Sequence, residues 1–340
     1  MAIRKWTVVA SLALSAALAL TIASSGAAKP AQTKAMSGYK VALVTDIGGL
    51  NDKSFNALAY KGLKDAQKKL GIDGRVFISK SSADYIPNLT AGARGYDLVI
   101  GVGFLMGDQL AAVAKRFPDK KFAIVDFPAV ALKGKPTNAR GIVFAEQEAG
   151  CLAGVAAARE SKSGVISSVG GQSVPAVVAY IAGYRYCAKK VKPSIKTLND
   201  YSQEFVAQDK CKEVALNQID QKSDVVFQVA GGCGLGALQA AKDSKVWGIG
   251  VDADQGYLGK HILTSALKKV DVGVYSTIAL AGSNKWKGGV DSLFNAKNKG
   301  VGFGKVSTAA PNRKSLLNLL GRWEKMLASG KVKPPRTFKG

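Results

Sequence analysis

The sequence predicts an α/β protein built as two doubly wound lobes of parallel sheet with a cleft between them, and three observations carry that prediction. After Gly38, short apolar runs alternate with helical segments through brief connections, the pattern of parallel strands covered on both faces. The alternation is written twice, and an Ala-rich helical segment over residues 146–162 (EQEAGCLAGVAAARESK) separates the two series. No Pro/Gly/Ser-rich linker divides them, so the chain is expected to cross between lobes through structured segments.

The elements follow in order. Residues 39–45 (YKVALVT) read as a buried parallel strand. The loop after it leads to a helix whose apolar residues Phe55, Leu58, Leu63, Ala66 and Leu70 recur at roughly helical spacing, with Asp52 or Asn51 able to cap it. Gly48 and Gly49 let that loop turn tightly and approach a ligand. Further strands are expected at 76–79, 96–102, 122–126 and 141–144, and the clearest helix at 106–117. The second series has strands at 165–169, 195–198, 225–230 and 246–251, and helices near 175–191, 205–219 and 235–242. A strand at 262–266, an apolar helix at 270–281, a Gly-rich hairpin-like stretch and a helix at 315–328 complete the chain. The last ten residues, with Pro334, Pro335 and several basic side chains, are expected to be loosely ordered. Lobe 1 is therefore placed at 39–145 with about 271–300 returning to it, and lobe 2 at 146–270; residues 301–340 are assigned to neither. Two such lobes form a clamshell whose natural ligand site is the cleft.

Composition narrows the function. With 340 residues, 47% apolar and 21% charged, the chain is long enough for two globular lobes. Residues 1–28 have a basic start (Arg4, Lys5), an apolar run over 6–23 and a small-residue exit, which together make a secretory signal peptide; an uncleaved anchor is the rival reading. The first cysteine is Cys151, so the sequence carries no evident lipoprotein attachment site, and the mature chain is expected to be soluble on the periplasmic or extracellular side. Without Arg4 and Lys5, 46 basic residues still face 24 acidic ones. They are spread evenly and are not interleaved with aromatics, which points to attraction by an anionic cell envelope rather than to nucleic acid. Cys151, Cys187, Cys211 and Cys233 allow two disulfides in three full connectivities, with free buried thiols as the alternative. A Cys187–Cys211 pairing is favoured, because both lie on consecutive expected helices of one half.

Chemistry-bearing motifs are few. From Gly232 the run fits G-x-G-x-x-A between a strand and a helix, and Asp252 stands twenty residues on, the spacing of a dinucleotide fingerprint. Export argues against a dinucleotide. What remains is close backbone approach at a helix start, with a carboxylate beside it that can hold a sugar hydroxyl. Asp46, Asn51 and Asp52 resemble the Asp-rich loop of nucleoside hydrolases but are too few and too scattered for Ca²⁺. His261 is the only histidine, nothing near it suggests a catalytic base, and no phosphate-binding Gly-Lys-Ser/Thr loop occurs. Catalysis, a metal and a cofactor are not expected. Phe55, Phe104, Phe127, Phe144 and Phe205 all fall near strand ends or helix starts, where an aromatic face can pack in the core or stack on a flat base. Asp126 ends a strand and can cap the following turn.

Five stretches then carry a resemblance: Asp46-x-Gly-Gly-x-Asn-Asp-x-Ser-Phe-Asn56, Gly101-Val-Gly-Phe-Leu-Met106, Phe122-Ala-Ile-Val-Asp126, Val225-Val-Phe-Gln-Val-Ala-Gly-Gly232 and Gly250-Val-Asp-Ala-Asp-Gln255. In this order, over about 39–275, the chain resembles the basic-membrane-protein family of extracytoplasmic substrate-binding proteins of ABC transporters, whose best-understood member binds purine nucleosides. The resemblance implies a type I periplasmic-binding fold with a nucleoside in the cleft and an ABC permease as partner. It implies that Asp46, Asn51 and Asp52 line the cleft from lobe 1, that Phe55 stacks on the base and that Asp126 hydrogen-bonds near it. From lobe 2 it implies Phe205 as the opposite aromatic face, close approach at Gly231 and Gly232, Asp252 on the ribose hydroxyls and Lys268 as a donor. The chain departs from the family pattern in its missing lipobox cysteine, in Cys233 within the Gly-rich loop, and in Gly170-Gly-Gln-Ser-Val-Pro175. The expectation is thus a non-enzymatic nucleoside-binding protein. The alternatives are an exported nucleoside hydrolase or dinucleotide enzyme, and a sensor or binding protein for another small polar ligand such as a sugar or amide.

Overall fold

Buried apolar strands organise two separate six-stranded sheets. The computed structural model describes Met1 and residues 36–338, so the signal-peptide reading lies outside the described residues. In lobe 1, β1 (Lys40–Val44), β2 (Asp73–Phe77), β3 (Leu98–Val102), β4 (Lys121–Val125) and β5 (Ala139–Phe144) run parallel in the order β2-β1-β3-β4-β5. In lobe 2, β6 (Val165–Gly170), β7 (Lys196–Tyr201), β8 (Val225–Val229), β9 (Trp247–Asp252) and β10 (Ile262–Lys268) repeat that order as β7-β6-β8-β9-β10. Both are doubly wound sheets of the kind whose ligands sit beyond the carboxyl ends of the strands. The central strands β3 and β8 are buried along their whole length, which is why they read as unbroken apolar runs rather than as alternating ones.

Helices cover both faces. Lobe 1 carries α1 (Phe55–Leu70), α2 (Tyr85–Gly95) and α3 (Gly107–Arg116); lobe 2 carries α4 (Glu146–Glu160), α5 (Pro175–Val191), α6 (Gln208–Asp220) and α7 (Gly234–Asp243). Helix α4 lies against α5 at close range: a Cβ on Gly150 or Gly154 would run into the backbone of Tyr180 or Tyr184. No helix among the described residues is long and apolar enough to cross a membrane.

The Cys187–Cys211 pairing is corrected: the disulfides are Cys151–Cys187 and Cys211–Cys233, with Cα separations of 5.0 and 5.6 Å. The reason is the winding of the sheet. Helices α5 and α6 are consecutive but lie on opposite faces, so Cys187 meets α4 while Cys211 meets α7. Each bond constrains the unfolded chain and contributes roughly 2–4 kcal/mol.

The tail also differs from expectation. After α8 (Val270–Ala281), which packs on α1 in lobe 1, the stretch expected to form a hairpin splits between sheets. Strand β11 (Asp291–Phe294) adds to β5 in parallel, whereas β12 (Val301–Phe303) pairs antiparallel with β10. Strands of four and three residues carry no signal for a distant partner. Helix α9 (Arg313–Ala328) packs on α4. The segment beyond it is docked up to Phe338 rather than loose. Arg336 donates to the Phe144 carbonyl (3.0 Å), to Gln147 (2.9 Å) and to the Glu146 carboxylate (2.7 Å), and the Arg185 guanidinium lies over the Phe338 ring. The chain therefore crosses between lobes at Ala145, at Lys269 and between β11 and β12.

Candidate ligand-binding site

The strand order creates the site. Helices diverge where a doubly wound sheet changes direction, between β1 and β3 in lobe 1 and between β6 and β8 in lobe 2. The loops leaving these strands carry Asp46, Gly103 and Phe104 on one side and Val174, Gly231 and Gly232 on the other, and all six line one cavity. The cavity is narrow as the lobes stand, with about 80 Å³ of space between its walls, and it is lined by residues of both lobes. The next strand of each lobe, β4 or β9, is followed by or ends on an aspartate in the left-handed region, Asp126 at φ 66° and Asp252 at φ 59°. Asp adopts that conformation more readily than most residues, and both carboxylates are thereby turned into the cavity.

The carboxylates have different surroundings. Asp52 is a helix cap: its oxygens accept the backbone N–H groups of Ser54 (3.0 Å), Asn56 (2.7 Å) and Ala57 (3.1 Å) at the start of α1. Asn56 donates to both Asp46 (2.6 Å) and Asp52 (3.2 Å), so one amide holds two acids side by side. Burial pushes the Asp46 carboxyl up to about 6 against the opposing pull of Asn56 and the Gly48 N–H. Asp252 accepts from the Tyr180 hydroxyl (2.9 Å) and lies 3.1 Å from the Ser54 hydroxyl. Ser54 belongs to lobe 1 and Asp252 to lobe 2, so this contact closes the cleft.

A second contact between lobes is ionic. Lys268, at the end of β10, donates to Asp126 at 2.7 Å and stands 3.6 Å from Asp252, with all three side chains buried. Burial alone would lower the lysine, but Asp126, Asp252 and Glu146 together hold it above its ordinary value, so it stays charged. Asp126 is itself raised by burial, with Lys268 pulling the other way. Its Oδ1 is buried and has no hydrogen-bond partner within the protein. Glu146 lies just behind, and burial followed by repulsion from Asp126 pushes it up to about 7. Aromatic rings enclose the lysine, with its Nζ 4.7 Å from the centre of the Phe55 ring and 5.6 Å from that of Tyr180.

The structure brings Asp46, Asp52, Phe55, Asp126, Phe205, Gly231, Gly232, Asp252 and Lys268 together around this cavity. It does not bring Asn51. Capping by Asp52 leaves Asn51 on the exposed side of the turn, and Asn56 is the amide that lines the cavity. Phe104, which the sequence left open between core and ligand stacking, lines the cavity and stacks on Phe127 with ring centres 4.8 Å apart; sequence reasoning missed Tyr180, which sits within a helix of apolar spacing. A signal for Asn56 was present at the end of the first motif, whereas none existed for Tyr180. Of the G-x-G-x-x-A glycines, Gly234 serves packing, since a Cβ there would collide with Gln228, whereas Gly232 lines the cavity, as does Asp252 beside Tyr180 and Ser54. Among the described residues, no group of three or more acidic, His or Cys side chains could hold a metal ion. Lys268 supplies the positive charge among the carboxylates.

Comparison with known proteins bears on this geometry. A family model described as an ABC transporter substrate-binding protein, PnrA-like, matches residues 39–329. An ABC transporter nucleoside-binding protein, BmpA, from Lactococcus lactis subsp. cremoris is 35% identical over 319 residues, 87% of this chain and 90% of its own length. A Pyrococcus abyssi protein named an uncharacterized lipoprotein is 36% identical over 281 residues, 78% of this chain and 68% of its own. That name is in mild conflict with the expectation of a protein that is not a lipoprotein. Among solved structures, a solute-binding protein of an ABC transporter system from Aeropyrum pernix K1 superposes with a TM-score of 0.77 at 25% identity, covering 87% of this chain and 92% of that one.

Proposed function

The chain belongs to the PnrA-like family of ABC transporter substrate-binding proteins, which are extracytoplasmic and not enzymes, and on that premise we propose that it captures a purine nucleoside between its lobes and delivers it to an ABC permease. The observation that carries this reading is the pairing of Phe55 from lobe 1 with Phe205 from lobe 2 on a single cavity rimmed by Asp46, Asp126 and Asp252. Two aromatic walls suit a flat base, at about 1–3 kcal/mol of stacking per base. Carboxylates suit the ribose, because hydrogen bonds from hydroxyls to a charged acceptor are the strong kind. Asp252 is assigned to the ribose, with Asp46 and Asn56 beside it, and the unpartnered Asp126 Oδ1 is assigned to a base N–H. The nucleoside-binding Lactococcus relative supports the same ligand class.

The mechanism is lobe closure. Lys268–Asp126 and Ser54–Asp252 both span the cleft, so they form only when the lobes approach, and a ligand touching both lobes favours that arrangement. The moving bodies are residues 39–145 with 271–300, and residues 146–270 with 301–338, hinged at the three crossings. The net charge of +24 further supports electrostatic association with an anionic cell envelope.

Calorimetric titration with inosine, adenosine, guanosine, uridine, adenine and ribose tests the reading. Purine nucleosides should bind most tightly, and Asp252→Ala should lose roughly 10- to 100-fold in affinity, the worth of one or two charge-assisted hydrogen bonds. The reading fails if no nucleoside binds, or if Asp252→Ala binds as the parent does.

A further inference from the structure

We propose that the Cys211–Cys233 disulfide is a positioning device for the ligand cavity, setting the place of the Phe205 ring and the Gly231–Gly232 turn. The proposal rests on reading the cavity as a nucleoside site, and one arm of its test does not depend on that reading.

Phe205 sits in residues 202–207, which have no regular secondary structure. The segment is held by backbone bonds from Ser202 to Gly170 and from Gln203 to Gly171, each 2.9 Å, and by the Glu204 carboxylate folding back onto the N–H groups of Phe205 (3.0 Å) and Val206 (3.2 Å). Helix α6 begins three residues after Phe205 and carries Cys211 on its first turn. Cys233 directly follows Gly231 and Gly232, and its N–H donates to the Phe205 carbonyl at 3.0 Å. The disulfide therefore ties the two cavity-lining segments of lobe 2 together just behind the points where they meet the cavity. Ser202 Oγ lies 3.3 and 3.5 Å from the two sulfurs, which joins the start of the Phe205 segment to the same knot.

Beyond the disulfide, α6 and α7 meet where a Cβ on Gly236 would run into the Gln208 backbone, and through the exposed Lys212–Asp243 ion pair (3.1 Å), neither of which is covalent. The fully buried part of the α6–α7 contact is dominated by Ala215, Ala237, Ala240 and Ala241, small side chains that interlock weakly compared with branched ones, with Val214 and Ile219 packed against them. Gly231 has φ +55°, and a Cβ on Gly232 would stand 3.4 Å from the Phe205 carbonyl and 3.7 Å from Asp52 Cα. The turn thus touches both the aromatic wall and the opposite lobe, and a small slide of α7 against α6 would be felt across the whole cavity. The other disulfide, Cys151–Cys187, joins α4 to α5 about two turns beyond Tyr180 and does not touch the Phe205 segment.

The test compares Cys211→Ala/Cys233→Ala with Cys151→Ala/Cys187→Ala in the full mature chain, using inosine and adenosine as probes well below the melting transition. Both pairs should lower Tm. Only the first should weaken binding, by about tenfold or more, because the loop must then be ordered at the expense of binding energy. Equal affinity in the two double variants overturns the proposal, since a merely structural role would move Tm alone. Amide hydrogen exchange without ligand is the second arm: residues 201–207 and 230–236 should exchange faster in the first variant and as in the parent in the second. Unchanged exchange in the first variant also overturns it. If the parent binds neither nucleoside, the ligand reading falls while exchange still decides the disulfide's role. Should the alanine pair fail to fold, Cys211→Val with Cys233→Ala restores volume for the same measurements.

Discussion

Replacing Lys268 by methionine keeps most of the unbranched apolar stem and removes the ammonium, with its charge and its hydrogen bond to Asp126. In the parent, one buried ammonium faces Asp126 at 2.7 Å and Asp252 at 3.6 Å, with Glu146 adding to the same field. Lys268→Met leaves these carboxylates without their nearest cation in a site where each is almost wholly buried. Removing one partner of a buried pair costs roughly 3–5 kcal/mol, far more than the pair itself contributes over an apolar replacement. For a chain of this size that corresponds to a fall in Tm on the order of 5–10 °C. The loss should depend on pH in a definite direction. Without the lysine, which pulls both down, Asp126 and Glu146 rise further and bind protons in the folded state, so the deficit is largest near pH 8 and shrinks as the pH falls towards 5. Thermal and urea melts of parent and variant across that range measure both effects. An unchanged Tm at pH 8, or a deficit that grows on acidification, would refute the argument that Lys268 neutralises this cluster.

Other consequences follow from the same geometry. Phe205→Ala and Phe55→Ala should each lower nucleoside affinity by roughly 5- to 100-fold through lost stacking while leaving ribose binding unaffected, as read by calorimetry. Glu146, pushed up to about 7 from an ordinary 4.5, contributes stability that is complete below about pH 4.5 and is lost as the pH rises through 7. Glu146→Gln should therefore flatten the fall of Tm between those values, by up to roughly 3 kcal/mol of unfolding free energy, and a slope identical to the parent's would contradict this.

Much of the fold was legible because its signals are local. A buried parallel strand is an apolar run, and a helix start announces itself by the side chain that accepts its first N–H groups, so β1, β3, β4, β8 and the start of α1 just after Asp52 could be read from neighbouring residues. Most of the residues gathered around the cavity were legible through motif resemblance, which marks positions without saying what each side chain touches. Asn51 and Asn56 show the limit. Both are amides in one motif, and only the direction of the capped turn decides which of them faces inward. Tyr180 was invisible for the opposite reason: it has the spacing of a core residue and is one, yet its hydroxyl reaches Asp252.

By itself the sequence determined the repeated strand-helix alternation, the crossing of the chain through structured segments, and the glycine and aspartate positions at strand ends. These depend on hydrophobic periodicity and backbone permissiveness, which act over a few residues. Only the tertiary structure decided which helices share a face, and hence that the cysteines pair as 151–187 and 211–233. It alone sent β11 and β12 to different sheets, and it alone joined Lys268 of one lobe to Asp126 of the other. Lys268 and Asp126 are 142 positions apart, and partners of this kind are chosen by the winding of the sheets and the cost of burying a lone charge, neither of which leaves a local trace.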